Sequence, residues 1–434
     1  MLEDRPCLVS REYSRSLDPD NWHINYCADK VEVQHNKRPL ETDGEEVARK
    51  VPKQQSSGQS QIQTSSQENG GDNSDLSLLI PALDYDNSIS CLIRCSRADY
   101  GAIASLSRSF RSIIKSGKLY ELRRKSGVIE HWVYFSCQLL EWEAFDPNRR
   151  RWMRLPRMIP NDCFQLADKE SLAVGTELLV FGKDFMAHVV YRYSLLTNAW
   201  TMGTCMDEPR CLFGSASLGE IAILAGGCNS QGNILSSAEM YNSETGRWKT
   251  LPSMKKPRQM CSGFFMDGKF YVIGGVGGVD SKLLTCGEEY DLATETWTEI
   301  PNMTPVRSVV EDREDDQPPP ATPEAPPLIA VVNNQLYAAD HANMVVRKYN
   351  KVDRKWRTIG RLPERADSMY GWGLAFRACG DRLIVVGGPR NNAGEGIIEI
   401  NSWVPGDGED PPQWELLGQK RSANFVYNCA VMGC

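Results

Sequence analysis

The 434-residue sequence lacks the features that would place it in a membrane or in a secretory pathway. No apolar run approaches the roughly 18 residues that a membrane-spanning helix needs. The opening residues, Met-Leu-Glu-Asp-Arg, do not resemble a signal peptide. We therefore expect a soluble chain that works in the nucleus, the cytoplasm or both, with no membrane partner.

Motifs for metals, nucleotides and nucleic acids are also missing. The 14 cysteines include no Cys-x-x-Cys and the five histidines no His-x-x-x-His, which are spacings typical of zinc sites. Neither a phosphate-binding loop nor a dinucleotide fingerprint is present. A net charge of −7 disfavours a general nucleic-acid binder. We expect reduced cysteines that mostly act as small buried side chains, and no metal, cofactor or nucleic-acid partner.

The first 75 residues have the composition of a disordered leader. Residues 54–75 are nearly all Gln, Ser, Asn, Gly, Thr or acidic, so they have too little apolar surface to offset the entropy of ordering. Two basic clusters, residues 37–38 and 49–53, have the spacing of a bipartite nuclear import signal. Solvated charges in a flexible tail are the equally simple alternative.

Residues 76–125 show helical periodicity. Apolar side chains recur at intervals of three and four residues, which places them on common helix faces: Ile89, Leu92, Ile93, Ile103, Leu106, Phe110, Ile113 and Ile114. Asp99 and Ser107 are candidate helix caps, and Gly117 is a candidate helix stop. So short a helical segment buries little area alone, so we expect it to need a partner surface.

The same segment resembles an F-box, the adaptor-binding module of modular ubiquitin ligases. The resemblance rests on residues 79–83 (LIPAL), 90–94 (SCLIR), Tyr100 and 106–113 (LSRSFRSI). It implies a set of residues that contact a Skp-type adaptor: Ile80, Pro81, Leu83, Ile89, Leu92, Ile93, Leu106 and Phe110. A helical hairpin that simply packs on the next domain is the alternative.

From His131 onward one pattern recurs. Six tryptophans stand 48, 48, 49, 59 and 58 residues apart, most of them seven residues after a Tyr or Phe: Trp152, Trp200, Trp248, Trp297, Trp356 and Trp414. Short apolar strands precede them, several ending in Gly-Gly as in residues 221–227 and 270–275. A period near 50 residues with four strands per unit resembles a kelch β-propeller. The fold expected is mainly β, a six-bladed kelch propeller over residues 131–434 behind the helical module.

The last residues predict how the propeller closes. Residues 423–432 resemble the strand that precedes each Gly-Gly strand, but no further unit follows them. The first repeat lacks that preceding strand. We therefore expect the C-terminal strand to join the first blade, which would remove open sheet edges.

The sequence gives little support for a catalytic site in the propeller. Arg210, Arg258 and Arg307 each follow a methionine by four residues, a recurrence that predicts a cationic rim suited to an acidic segment of a target protein. A sialidase-like arginine triad is the catalytic alternative for these arginines. A copper oxidase would need a histidine pair near the axis, and no nucleophile with its base can be assigned. We expect no catalytic residues.

An F-box followed by kelch repeats resembles the plant-rich F-box/kelch-repeat family, over residues 76–434. The resemblance implies a substrate receptor of an SCF-type ubiquitin ligase, which binds a Skp-type adaptor and, through it, cullin and RING subunits. The propeller would then bind a target protein, which the sequence does not name. A kelch scaffold that acts outside any ligase is the competing reading.

Overall fold

The computed structural model describes residues 79–434, apart from residues 82, 139, 162–163, 185–186, 279–281, 306–323, 365, 367, 369, 389–395, 407, 409 and 423. The leader predicted for residues 1–75, with its two basic clusters, lies outside the described residues. A helical module comes first in the described chain, with a 3₁₀ turn over Arg97–Asp99. Its helices are α1 (Tyr85–Arg94), α2 (Tyr100–Leu106), α3 (Arg108–Lys115) and α4 (Lys118–Lys125).

Local signals in the sequence account for the ends of these helices. The backbone N–H of Asn87 donates to the Asp84 carboxylate (2.7 Å), which caps α1, and that of Phe110 donates to the Ser107 hydroxyl (3.1 Å), which caps α3. Gly117 has a φ of 80° between α3 and α4, a conformation that favours glycine. The cap expected at Asp99 is wrong: its carboxylate makes no capping bond and pairs with Arg149 instead.

In the described part of the chain, the remaining strands form six four-stranded antiparallel sheets and one two-stranded ribbon; the six sheets are numbered here as blades 1 to 6 in chain order. Blade 1 contains β1 (His131–Gln138), β2 (Glu141–Asp146) and β3 (Arg151–Arg154). Blade 2 contains β4 (Gln165–Val174), β5 (Glu177–Lys183), β6 (His188–Ser194) and β7 (Ala199–Met202). Blade 3 contains β8 (Gly214–Leu218), β9 (Ile221–Ala225), β10 (Ala238–Asn242) and β11 (Arg247–Leu251).

Blade 4 contains β12 (Ser262–Met266), β13 (Lys269–Ile273), β16 (Gly287–Asp291) and β17 (Thr296–Ile300), with a small ribbon of β14 (Val276–Gly277) and β15 (Lys282–Leu283) between β13 and β16. Blade 5 contains β18 (Ile329–Val332), β19 (Gln335–Asp340), β20 (Val345–Asn350) and β21 (Lys355–Arg361). Blade 6 contains β22 (Ala375–Cys379), β23 (Arg382–Gly387), β24 (Gly396–Trp403) and β25 (Glu415–Ser422). The last strand, β26 (Asn428–Gly433), belongs to blade 1.

The sheets close into a ring. The innermost strands β4, β8, β12, β18, β22 and β26 contact one another in that order, and β26 contacts β4 again. Strand β26 pairs antiparallel with β1, from His131 opposite Gly433 to Ser136 opposite Asn428. The chain therefore supplies the inner strand of blade 1 from its far end, and the six-bladed propeller behind a small helical module is confirmed.

The repeated tryptophans join neighbouring blades. Five of the six lie on the outermost strand of their blade, and Trp414 immediately precedes that strand in blade 6. Four face a tyrosine on the adjacent strand with ring centroids 5.0–5.4 Å apart. The indole Nε1 of five of them donates to a backbone carbonyl at, or one to three residues after, the end of the last strand of the preceding blade. The pairs are Trp200 with Pro156, Trp248 with Thr204, Trp297 with Pro252, Trp356 with Met303 and Trp414 with Arg361. The tryptophan therefore recurs once per blade because its indole makes a contact that joins that blade to the preceding one.

The two ends of the propeller are different. Because the strands alternate in direction, the short turns inside each blade lie at one end, called here the turn end. The segments that join successive blades and the loops between second and third strands lie at the other, called the link end. The helical module lies on the turn end, where Arg149 and Arg124 pair with Asp99 and Glu220 and Leu196 packs against Gly117.

Candidate functional site

Part of the predicted adaptor surface forms the interior of the helical module. Ile89, Leu92 and Ile93 are buried and belong to one apolar cluster that runs from the module into blades 1 and 2. Tyr100 and Leu119 belong to the same cluster. These three side chains of α1 therefore stabilise the module against the propeller, which corrects the expectation that they contact an adaptor directly. The periodicity identified the apolar face of α1 correctly, but this face packs against other residues of the same chain.

The other predicted adaptor residues lie nearer the surface. Leu106, at the end of α2, is 74% exposed, and Pro81 is also exposed. Ile80, Leu83 and Phe110 are half-buried. We call these five residues the outer residues of the module. Leu106 is among the most exposed large apolar side chains in the described chain, which makes it available to a partner.

Around α3 the exposed surface is also basic. Arg108, Arg111 and Lys115 are exposed on that helix, and Arg94 is exposed at the end of α1. Arg111 donates to the Ala104 carbonyl (3.2 Å), which ties α3 to α2. The module therefore offers apolar side chains beside positive charge, a combination that suits a partner with apolar and acidic side chains.

Two buried arginines join the module to the propeller, and the sequence interpretation missed both. The Arg97 guanidinium lies over the Trp132 ring, 4.2 Å from its centroid, and Nη1 donates to the Cys434 sulfur. Arg123 is fully buried and donates to the Ile93 carbonyl (2.8 Å). The carboxylate of Glu130 lies between them, accepting from the Arg97 backbone N–H (2.8 Å) and 3.6 Å from Arg123 Nη2. The junction is therefore polar and enclosed, unlike a flexible linker.

The predicted cationic rim is wrong for two of its three members. Arg210 and Arg258 are 1% and 0% exposed, and each pairs with a buried glutamate, Glu239 (2.6 Å) and Glu288 (2.9 Å) respectively. Arg307 lies outside the described residues. The buried arginines also donate to backbone carbonyls of the loop that follows the second strand of their blade.

The two glutamates explain why these arginines are buried. Glu239 accepts backbone N–H bonds from Asp207 (2.7 Å) and Glu208 (3.0 Å), and Glu288 accepts them from Lys255 and Lys256 (2.7 and 3.2 Å). Each Arg–Glu pair therefore fixes the segment entering a blade to the interior of that blade. In blades 3 and 4 the arginine of the Met-x-x-x-Arg pattern is therefore structural, and its charge is compensated by the glutamate two residues before the repeated tyrosine.

The link end is the part of the propeller that the helical module leaves uncovered. It carries the longer connections, among them residues 203–213, 226–237, 252–261 and 274–286. Apolar side chains protrude from it, including Ile159 and Leu283, which is 63% exposed. Residues 229–233 add a compact polar turn, in which Asn229 Oδ1 accepts from the backbone N–H groups of Gln231 and Asn233 (both 3.0 Å). Such loops on a rigid scaffold suit recognition of a protein surface.

Among the described residues, the three histidines of the propeller lie on different blades. His131 begins β1 at the turn end, whereas His188 begins β6 at the link end and His341 lies in the loop after β19. Among the described residues, no group of three or more His, Cys, Asp or Glu side chains is placed to hold a metal ion. No helix in the described part of the chain is both long and apolar enough to cross a membrane.

Comparison with known proteins covers both parts of the chain. A model of the Kelch motif matches residues 209–255 and 257–304, which contain the strands of blades 3 and 4. F-box/kelch-repeat protein SKIP11 of Arabidopsis thaliana is 59% identical over the full length of both chains. F-box/kelch-repeat protein At1g26930 of the same plant is 62% identical over 85% of this chain and 86% of its own. F-box/kelch-repeat protein At1g74510 is 58% identical over 82% and 79%.

Proposed function

The chain belongs to the F-box/kelch-repeat proteins, and from that membership we propose that it is the substrate-recognition subunit of an SCF-type ubiquitin ligase. In this role the helical module is the F-box and binds a Skp-type adaptor, which brings the cullin and RING subunits. The propeller binds the protein to be ubiquitinated. The chain carries out no chemistry itself but raises the effective concentration of a target lysine near the charged conjugating enzyme.

The observation that supports this proposal best is the placement of the module on one end of the propeller. With the turn end occupied around Asp99, Gly117 and Arg124, the link end is left for a second protein. Adaptor and target would then bind on opposite sides of one body. The enclosed junction at Arg97 and Arg123 would keep the distance between them constant.

For the adaptor, the outer residues are the part of the module that a partner can reach. We propose that Pro81 and Leu106 become buried in the adaptor complex, with Ile80, Leu83 and Phe110 at its edge. The basic side chains Arg108 and Arg111 would then face acidic groups of the adaptor. Apolar burial supplies affinity in such an interface, while complementary charge supplies orientation and association rate.

The test is co-purification of the full chain with a Skp-type adaptor and a cullin. The variant Pro81→Ala/Leu106→Asp changes only exposed residues, so it should fold normally and lose capture. Leu283→Asp, which places the same charge on an exposed leucine of the link end, is the matched control and should keep capture. Failure of the folded wild-type chain to capture the adaptor would overturn the proposal and favour a scaffold that acts outside a ligase.

A further inference from the structure

Two cysteines from different segments face each other at the link end of blade 3. Cys211 lies in the segment entering the blade, residues 203–213, and Cys228 lies in the loop 226–237. Their sulfur atoms are 3.5 Å apart. Each residue's backbone N–H donates to the other's carbonyl, at 3.0 and 2.8 Å. Antiparallel pairs bonded in this way hold their Cα atoms about 5.5 Å apart, within the range that a disulfide spans.

The backbone on both sides of this pair is fixed by buried groups. On one side of Cys211 stands Arg210, bound to Glu239, and on the other the backbone N–H of Leu212 donates to the Glu170 carboxylate. Gly227 precedes Cys228 with a φ of 91°, and a Cβ there would lie 2.4 Å from the Cys211 carbonyl oxygen. The two sulfurs are therefore kept adjacent, and a bond between them needs only side-chain rotation.

Blade 4 shows that this backbone arrangement does not depend on cysteine. The positions 48 residues later hold Gln259 and Val276, which exchange the same two backbone hydrogen bonds at 2.9 and 2.8 Å. The repeat thus builds the pairing with either set of side chains. The thiols of Cys211 and Cys228 are an addition to it, so their contribution must come from sulfur chemistry or from local packing.

The two thiols of the pair differ in exposure and in their tendency to ionise. Cys211 is half-buried, which leaves part of it accessible to a small oxidant, whereas Cys228 is buried. The contact between the two sulfurs lowers the pKa of the Cys228 thiol, whereas the same contact, together with burial, raises the pKa of the Cys211 thiol well above its usual value. The thiolate is the reactive form of cysteine. The Cys228 sulfur is the one that ionises more readily, and the Cys211 sulfur 3.5 Å away is in place to complete the disulfide.

We propose that Cys211 and Cys228 are a reversible oxidation site that forms an intramolecular disulfide on exposure to a peroxide. One thiolate attacks a peroxide oxygen, the O–O bond breaks, and a sulfenic acid and water form. The second sulfur then displaces the hydroxyl as a second water, and the S–S bond forms. In total two thiols and one hydrogen peroxide give one disulfide and two waters. Excess thiol reverses the reaction by exchange.

The disulfide joins residues 203–213 to residues 226–237 covalently. A disulfide between Cys211 and Cys228 closes the loop between these residues, which lowers the conformational entropy of the unfolded chain and so stabilises the folded state. It also limits the motion of two of the connections that form the link end. The site therefore changes the rigidity of the uncovered face of the propeller, whatever protein that face binds.

The experiment treats the reduced full-length protein with hydrogen peroxide, blocks remaining thiols with N-ethylmaleimide in denaturant, and identifies linked peptides by mass spectrometry without reduction. The expected product links Cys211 to Cys228 and disappears with dithiothreitol. Oxidation should raise the midpoint of thermal unfolding by about 5 °C. The variant Cys211→Gln/Cys228→Val, which carries the blade 4 residues, should fold and show no such rise.

Cys205 is an internal control, since it is exposed in the same entering segment. The proposal is overturned if a peroxide concentration that oxidises Cys205 leaves Cys211 and Cys228 reduced, so that N-ethylmaleimide still alkylates both. It is equally overturned if Cys211 advances to sulfinic acid without linking to Cys228. Equal shifts of the thermal midpoint in wild type and in Cys211→Gln/Cys228→Val would show that other thiols are responsible.

Discussion

The guanidinium carbon of Arg97 lies 4.2 Å from the centroid of the Trp132 ring, at the junction of the helical module with blade 1. Both side chains are buried. A cation on an aromatic face, excluded from water, stabilises more than the same pair at a surface. Together with Glu130, this contact makes the module and the propeller one body, so that an adaptor and a target would be held at a fixed separation.

Replacing Arg97 should weaken this junction. We expect Arg97→Met to lower the free energy of unfolding by about 2 kcal/mol, because the stacking on Trp132 and the bond to the Cys434 sulfur are both lost. Residues 126–130 should become more sensitive to protease. Urea unfolding followed by tryptophan fluorescence measures the change. Arg94→Met, at an exposed arginine, is the control and should stay within about 0.5 kcal/mol of wild type.

The buried ion pair of blade 3 should matter far more than an exposed pair nearby. We expect Glu239→Gln to cost about 3–5 kcal/mol, because Arg210 would lose its buried counter-charge and keep only the exposed Glu208, 3.4 Å away. Glu295→Gln, which breaks the exposed pair with Lys249, should cost less than about 1 kcal/mol. Chemical denaturation of the two variants compares them directly. Similar costs would contradict the structural role assigned to the recurring arginines.

The indole N–H groups between blades should contribute measurably to stability. Trp297→Phe keeps most of the ring but removes the donor to the Pro252 carbonyl (2.7 Å), so we expect a loss of about 1–2 kcal/mol. Trp248→Phe removes the corresponding but exposed bond to Thr204 and should cost less. Thermal unfolding of both variants gives the comparison. A larger loss in Trp248→Phe would show that burial does not set the strength of these contacts.

Two histidines should make stability depend on pH. Burial, and then the charge of Arg97, lower the pKa of His131 below its usual 6.5, and burial lowers that of His188. Below about pH 6.5 the unfolded chain therefore binds more protons than the folded one, so stability falls as pH drops. Thermal midpoints between pH 7 and pH 5 should decline. His131→Asn/His188→Asn should decline less over this range, and an unchanged slope would exclude these histidines as the cause.

The regular features of the fold could be predicted from the sequence because each has a local periodic signal. Tryptophans about 50 residues apart gave six blades, since each indole contacts the blade before it, as Trp297 does with Pro252. Ser107 marked a helix boundary through its side-chain hydroxyl, and Gly117 marked one through its backbone conformation. No local signal in the sequence shows what packs on an apolar helix face. The sequence therefore predicted an adaptor contact for Leu92, which instead lies in the interior of the module.

The direction in which a charged side chain points also depends on the fold. The spacing of Arg210 and Arg258 revealed a repeat, but only the structure shows the buried glutamates that neutralise them. Arg97 stands alone in the sequence and stacks on Trp132, 35 positions away. Contacts of this kind arise from the pairing of distant segments, which hydrophobic periodicity does not encode.

The most direct test of the receptor proposal is hydrogen–deuterium exchange of the full chain, free and with a purified Skp-type adaptor in excess. We expect binding to protect residues 79–83 and 103–111 and to leave residues 203–213 and 226–237 unchanged, because the adaptor would cover the module and not the link end. Protection of the link end with no change in the module, or no binding by the folded chain, would contradict the proposal that the helical module is the adaptor site.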